Sequence, residues 1–267
     1  MITIKVIFLA ILQGITEFLP ISSSGHLAVC QNILGIEDDS SVMLAVILHA
    51  GTLLAIIIYY FKTLWGLLEK KNHRVILLII IGTIPAAVLG ILIKKAGFAE
   101  IIFTNMLIPG IGLFITASLL KWGMSKNEGT NEIKDLSFIQ AITVGLFQAF
   151  AIFPGISRSG STIIGSVSQK LKRSEAATFS FLLAIPAIGG AAFIETLSYL
   201  KDPRGIGEQF PGLTLIIGFF ISAVVGYFSL KLLLHSLKKG SLNAYANYCF
   251  ALGSIIIFWQ ITEYFLN

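Results

Sequence analysis

Two short polar stretches in an apolar chain hold the residue types that do chemistry. The first runs Gln13-Gly14-Ile15-Thr16-Glu17-Phe18-Leu19-Pro20-Ile21-Ser22-Ser23-Ser24-Gly25-His26. The second runs from Gln148 through Pro154-Gly155-Ile156-Ser157-Arg158-Ser159-Gly160-Ser161-Thr162. In each, a serine cluster with a glycine stands just before an apolar run. Serine caps a helix N-terminus, and glycine lets a ligand approach the backbone. Free N–H groups and the positive end of the helix dipole bind anions there. Ser22, Ser24, Gly25, Ser157, Ser159, Gly160 and Thr162 are therefore candidate phosphate-binding residues, and Arg158 adds a planar fork for two phosphate oxygens. Two such ends meeting in one cavity suit a ligand with more than one phosphate.

Glu17, Ser23, His26 and Arg158 are the candidate catalytic set for hydrolysis of such a ligand. His26 can act as general acid or base, or accept the phosphoryl group. Ser23 is an alternative nucleophile, with His26 three residues on along the same helical face. Glu17 can orient His26, act as a base, or hold a divalent cation, magnesium or calcium, that bridges the phosphates. Metal and arginine together would neutralise the charge that phosphoryl transfer spreads over oxygens. Gln13 and Gln148 read as supporting residues. His49, inside an apolar run, reads as a satisfied interior histidine, and His73 and His235 as surface residues. Glu195 reads as reaching the interface at the outer end of its span. Cys30 and Cys249 show neither a disulfide framework nor metal-ligand spacing.

The elements that position these residues must lie in lipid. Hydrophobic residues make up 55% of the 267 and charged residues 12%, with 25 glycines besides; soluble domains carry about 25% charge. So few charges cannot cover a soluble surface, which makes the chain a polytopic, all-α membrane protein. The net charge of +5 comes from basic residues scattered through short loops, which fits an anionic membrane leaflet and not nucleic acid. The N-terminal run reads as mature protein, without a small-residue cleavage site.

Six stretches are long enough to span a bilayer: 43–61, 75–93, 101–120, 177–199, 212–233 and 244–265. Pro85, Pro109 and Pro186 fall inside them. Residues 4–34 and 137–168 are each predicted to be a re-entrant hairpin, two half-length helical arms of about 9–12 residues around a Pro/Gly/Ser break. Non-helical backbone survives at that depth only inside protein or a wet cavity. Gln13 to Gly25 and Gln148 to Gly160 are both 12 residues, so an offset of 135 lays Ser22-Ser23-Ser24-Gly25 on Ser157-Arg158-Ser159-Gly160. The chain thus divides into a first repeat, 1–122, a cytoplasmic linker, 123–136, and a second repeat, 137–267. Three spans per repeat invert the second relative to the first, a plan that sets binding sites near the midplane at interrupted helices.

Loop charges give the orientation. Lys62, Lys70, Lys71, Arg74, Lys121, Lys126, Lys134, Lys170, Lys172, Arg173, Lys231, Lys238 and Lys239 fall on one side, and Lys5, Lys94, Lys95, Lys201 and Arg204 on the other. The positive-inside rule puts the larger set in the cytoplasm of a plasma membrane. Both termini and the acidic loop Glu37-Asp38-Asp39 then face outward. The first hairpin enters from outside and the second from the cytoplasm.

At the two breaks the sequence resembles the undecaprenyl-diphosphate phosphatase family, also called bacitracin-resistance proteins. The first stretch resembles the family's Glu/Gln-rich motif with its Ser-x-Gly-His end. The second, Pro154 to Thr162, resembles its Pro-Gly-x-Ser-Arg-Ser-Gly-x-Thr motif. The resemblance implies a membrane enzyme that removes one phosphate from undecaprenyl diphosphate and returns the monophosphate carrier lipid to peptidoglycan synthesis. It also implies a divalent cation, a lipid substrate and bacitracin resistance, because the antibiotic sequesters the diphosphate lipid. By the same resemblance Glu17, Ser23, His26 and Arg158 carry the site, with Ser157, Ser159 and Thr162 near the phosphates. A first-motif position that is often Glu in relatives is Gln13 here; Gln is no base and a poorer ligand, which leaves Glu17 as the catalytic carboxylate. Whether Ser23 or His26 attacks phosphorus stays open at this level. So do a homo-oligomeric state, a lipid flippase or secondary transporter of a phosphorylated polyprenyl lipid, and a purely structural subunit.

Overall fold

Apolar runs broken by proline and serine dictate the helices, and the computed structural model follows them over residues 2–36, 38–69, 72–201 and 210–266. The first half of the chain holds α1 (Ile2–Phe18), α2 (Ser23–Ile33), α3 (Asp38–Tyr59), α4 (Phe61–Leu67), α5 (His73–Lys95), α6 (Ala99–Thr104) and α7 (Leu107–Met124). A linker with one 3₁₀ turn, Ile133–Asp135, leads to α8 (Phe138–Phe150), α9 (Arg158–Ser168), α10 (Arg173–Lys201), α11 (Gly212–Lys238) and α12 (Asn243–Leu266). Six of these, α3, α5, α7, α10, α11 and α12, are long and apolar enough to cross a membrane. Their outward faces stay apolar: Ile80, Ile84, Val88 and Ile91 on α5, and Ile216, Phe220, Val224 and Phe228 on α11, are exposed at helical spacing. A soluble protein rarely shows such patches, and lipid is their solvent.

Three boundaries differ from expectation. The third span begins at Leu107, not 101. Asn105 is extended (φ −78°, ψ 107°) and separates it from the short α6, and the Asn105 Oδ1 accepts from Leu107 N at 3.0 Å. Pro109 consequently falls in the first turn of α7, where no N–H is missed. The first hairpin arm, α1, has 17 residues, about 26 Å at 1.5 Å per residue, well over the expected half-length. Helix α1 also continues through Glu17, so the break starts only at Leu19 and Pro20. Gln148 likewise sits inside α8. Lys70, Lys71, Arg204 and Glu37 lie outside the described residues.

Helix pairs join the two halves of the chain. α1 packs on α11 and α8 on α5; α3 packs on α10 and α7 on α12. Under the offset of 135, each of these four pairings maps onto another of the four or onto itself. A central core of Phe18, Leu113, Leu120, Ile163, Phe181 and Leu230 lies among the breaks. At one end of the bundle, Arg74 donates to the carbonyls of Lys134 and Leu136, Lys172 contacts Glu132, and Asn131 bridges to Leu171. Basic loops from both halves of the chain thereby meet. At the other end of α5, Lys94 pairs with Glu195 at 3.0 Å.

Candidate active site

The two breaks are built alike. Ser22 Oγ accepts from Gly25 N at 3.3 Å and lies 3.3 Å from Ser24 Oγ. Ser157 Oγ accepts from Gly160 N at 3.1 Å and lies 3.1 Å from Ser159 Oγ. Each serine therefore caps its helix as the spacing predicts. Ser22 does so at φ +69°, a left-handed backbone that costs a non-glycine residue about 1–3 kcal/mol and is common where a site is held under strain.

The breaks also touch. A Cβ on Gly25 would stand 3.0 Å from Gly155 Cα, and one on Gly160 would stand 3.2 Å from Pro20 Cβ. Ser159 Oγ reaches Leu19 O at 3.5 Å. Helix α7 braces the second break: Thr116 Oγ1 donates to Gly155 O at 2.8 Å and accepts from Ser157 N at 2.9 Å. Gly112 lies so close to Pro154 O and Gly155 that no side chain fits between.

This contact brings Arg158 to Glu17. Arg158 Nη2 donates to Glu17 Oε1 at 2.5 Å, across 141 residues. Ser23 Oγ donates to Glu17 Oε2 at 2.6 Å, and Gln13 Nε2 donates to the same oxygen at 3.1 Å. Glu17 is buried, at 6% exposure, so its charge needs these partners. Arg158 and Ser23 are only half-buried, which leaves both open to a ligand. Arg158 Nη1 is buried and has no hydrogen-bond partner, a donor directed at nothing in the protein.

His26 stands apart from that group. Its Nδ1 lies 2.7 Å from Ser22 O and its Nε2 lies 2.8 Å from Tyr248 Oη. Both ring nitrogens are occupied, so Glu17 does not orient His26. The imidazole beside Glu17 is His49: its Nδ1 lies 2.7 Å from Ala45 O, and its Nε2 lies 3.4 Å from Glu17 Oε2. The sequence reading of His49 as an interior histidine missed this contact. The available signal was general: an ionisable residue inside a membrane span marks function by default.

The remaining candidates form the walls. Ser22, Ser157, Ser159 and Thr162 are buried. Thr162 Oγ1 bonds to Arg158 O at 2.8 Å and to Ser180 Oγ at 2.5 Å, tying the first turn of α9 to α10. Ser24 is half-buried, and Gly25 and Gly160 sit at the helix starts. Gln13 meets Glu17, but Gln148 does not join the group; both of its amide atoms are buried without partners.

No group of three or more His, Cys, Asp or Glu side chains gathers to hold a metal among the described residues. The oxygen donors present are the Glu17 carboxylate and Gln13 Oε1, which is buried and unpartnered. One carboxylate and one amide oxygen suit a hard cation that completes its shell with phosphate oxygens.

Comparison with known proteins finds similarity along nearly the whole chain. The family model described as bacitracin resistance protein BacA matches residues 6–255. A protein of Halothermothrix orenii named undecaprenyl-diphosphatase is 42% identical over 256 residues, covering 95% of this chain and 96% of its own. Proteins of the same name from Alkaliphilus metalliredigens and Methanosphaera stadtmanae are each 40% identical, covering 98% and 97% of this chain and 100% and 98% of theirs. With matches of that extent, the chain belongs to the BacA family of bacitracin resistance proteins.

Proposed function

We propose that the chain is an integral membrane phosphatase that hydrolyses undecaprenyl diphosphate to undecaprenyl phosphate and inorganic phosphate. This activity recycles the carrier lipid for peptidoglycan synthesis and confers resistance to bacitracin. The observation that carries the reading is the Arg158–Glu17 pair between the two breaks, with the Ser23 hydroxyl donating to the same carboxylate.

The geometry favours Ser23 as the nucleophile. Its proton already points at Glu17 Oε2, which can accept it as Oγ attacks the terminal phosphorus. The bond from that phosphorus to the bridging oxygen breaks, and undecaprenyl phosphate leaves with the electron pair. Water then hydrolyses the phosphoserine, releasing inorganic phosphate and restoring the hydroxyl. Arg158 serves both resting and reacting states. Its free Nη1 meets the incoming phosphate, and a guanidinium drawn toward phosphate oxygens leaves Glu17 less neutralised and more basic when a proton must be accepted. His49 holds the far side of Glu17. The capped starts of α2 and α9 supply N–H groups and dipoles to the remaining phosphate oxygens.

A magnesium or calcium ion arriving on the diphosphate would be held by Glu17 and Gln13 Oε1, and it would neutralise phosphate charge. The repeats are inverted, the end carrying the basic loops faces the cytoplasm of a bacterial plasma membrane, and the termini face outward. The self-matching helix pairings support the inverted plan and also favour a second reading, lipid movement across the bilayer.

Purified protein given a long-chain prenyl diphosphate should release inorganic phosphate, and Ser23→Ala should abolish that release with the fold retained. Lipid transfer in liposomes without phosphate release would replace the enzyme reading with the transport one.

A further inference from the structure

We infer that Tyr248 is a positioning residue for His26, reaching from the last helix to hold the imidazole as one neutral tautomer with its Nε2 lone pair engaged by the phenol. The inference rests on the proposed phosphatase reading, with His26 three residues beyond Ser23 at the start of α2.

The tautomer follows from the partners. A carbonyl oxygen only accepts, so the ring nitrogen 2.7 Å from Ser22 O, Nδ1, carries the proton. In the neutral ring Nε2 is then an acceptor, and the group 2.8 Å away that can donate to it is the Tyr248 hydroxyl. The two rings lie nearly parallel, 7° apart, with centroids at 5.7 Å. Rotating the imidazole about its Cβ–Cγ bond would break both hydrogen bonds together.

The burial of the two rings differs. His26 is 6% exposed and Tyr248 is 44% exposed. Packing alone does not confine a half-exposed phenol, so the hydrogen bond to His26 is what directs its hydroxyl inward. That hydroxyl spans 222 residues of sequence, from α12 to the start of α2. Ser22 is also the cap of α2, so the ring is fixed to the backbone turn that presents Ser23. A loosened imidazole therefore changes the reacting geometry without removing a group that binds substrate, and its effect falls on turnover.

Tyr248→Phe keeps the ring and its stacking and deletes only the hydroxyl. In purified full-length protein hydrolysing a long-chain prenyl diphosphate, we expect kcat to fall about tenfold, the factor for one hydrogen bond, with KM unchanged. Placed in a His26→Gln background, the same change should cost nothing further, because the two residues act as one unit. Histidine-selective ¹⁵N labelling reports independently of activity: His26 should give one Nδ1–H tautomer in the native protein and a mixture in Tyr248→Phe. Unchanged kcat, a rise in KM alone, an equal further loss in the His26→Gln background, or an unaltered tautomer would each overturn the inference. Full activity in His26→Gln itself would remove His26 from the site, and the inference with it. That outcome is distinct from a silent Tyr248→Phe beside a damaged His26→Gln.

Discussion

Replacing Arg158 with alanine takes a charge from two partners at once, the carboxylate of Glu17 and the incoming phosphate. Breaking a buried pair by removing one member costs about 3–5 kcal/mol, so loss of activity in that variant would be mixed with loss of fold. Arg158→Lys keeps the charge but not the planar fork. Its phosphate release should fall at least about a hundredfold, with a thermal midpoint close to that of the native protein. His49→Gln tests the other flank of Glu17: the amide keeps a donor within reach but not the ring, and kcat should fall by about tenfold, measured in the same assay. Glu17, Ser23 and Arg158 were legible in the sequence because they interrupt apolar runs at proline and serine breaks. His49 and Tyr248 were not, because each sits in an unbroken apolar helix and gains its partner from a different element. Of the roles open to Glu17, orienting His26 does not hold, because the α2 start turns that ring to Ser22 O and Tyr248 instead.

The two breaks depend on helices outside them. Gly112 of α7 lies against Pro154 O and Gly155, and Gly155 itself adopts φ +89°. Gly112→Ala should push the second break off α7 and away from Glu17. Overpacking of this kind costs about 1–3 kcal/mol, and the expected outcome is a lowered thermal midpoint together with reduced phosphate release. Serine capping was readable from spacing, and both breaks hold their predicted caps. Helix ends were less readable. Apolar periodicity runs through 101–106 without marking the extended Asn105, and Gln13 and Glu17 look like break residues although the helix carries them, since one face of α1 is buried in protein.

Across the whole molecule, basic loops from both halves of the chain meet at one end. There Lys134, then Lys172, hydrogen-bonds Glu132 and holds its carboxyl below the usual range of about 4.5. A depressed carboxylate stabilises above its unfolded pKa and loses that contribution as pH falls through its folded value. Amide protection in the linker should therefore drop on acidification below about pH 4.5, and Glu132→Gln should blunt the pH dependence; because the pair is exposed, the effect is small. Orientation has its own test. In a background with Cys30 and Cys249 replaced by serine, an impermeant maleimide should label Lys95→Cys in intact cells and Lys126→Cys only after the membrane is opened.

The ion pair between Glu17 and Arg158 spans 141 residues, and that distance has a consequence for biogenesis. At about 5–20 residues per second, the ribosome needs roughly 7–28 s after making the carboxylate before it supplies the guanidinium. His49 emerges far sooner, so the nascent first half carries its own polar neighbour for that carboxylate. On the proposed mechanism, an incompletely translated chain thus holds an acid and an alcohol but no phosphate clamp, and it should stay chemically silent until the second half has been inserted.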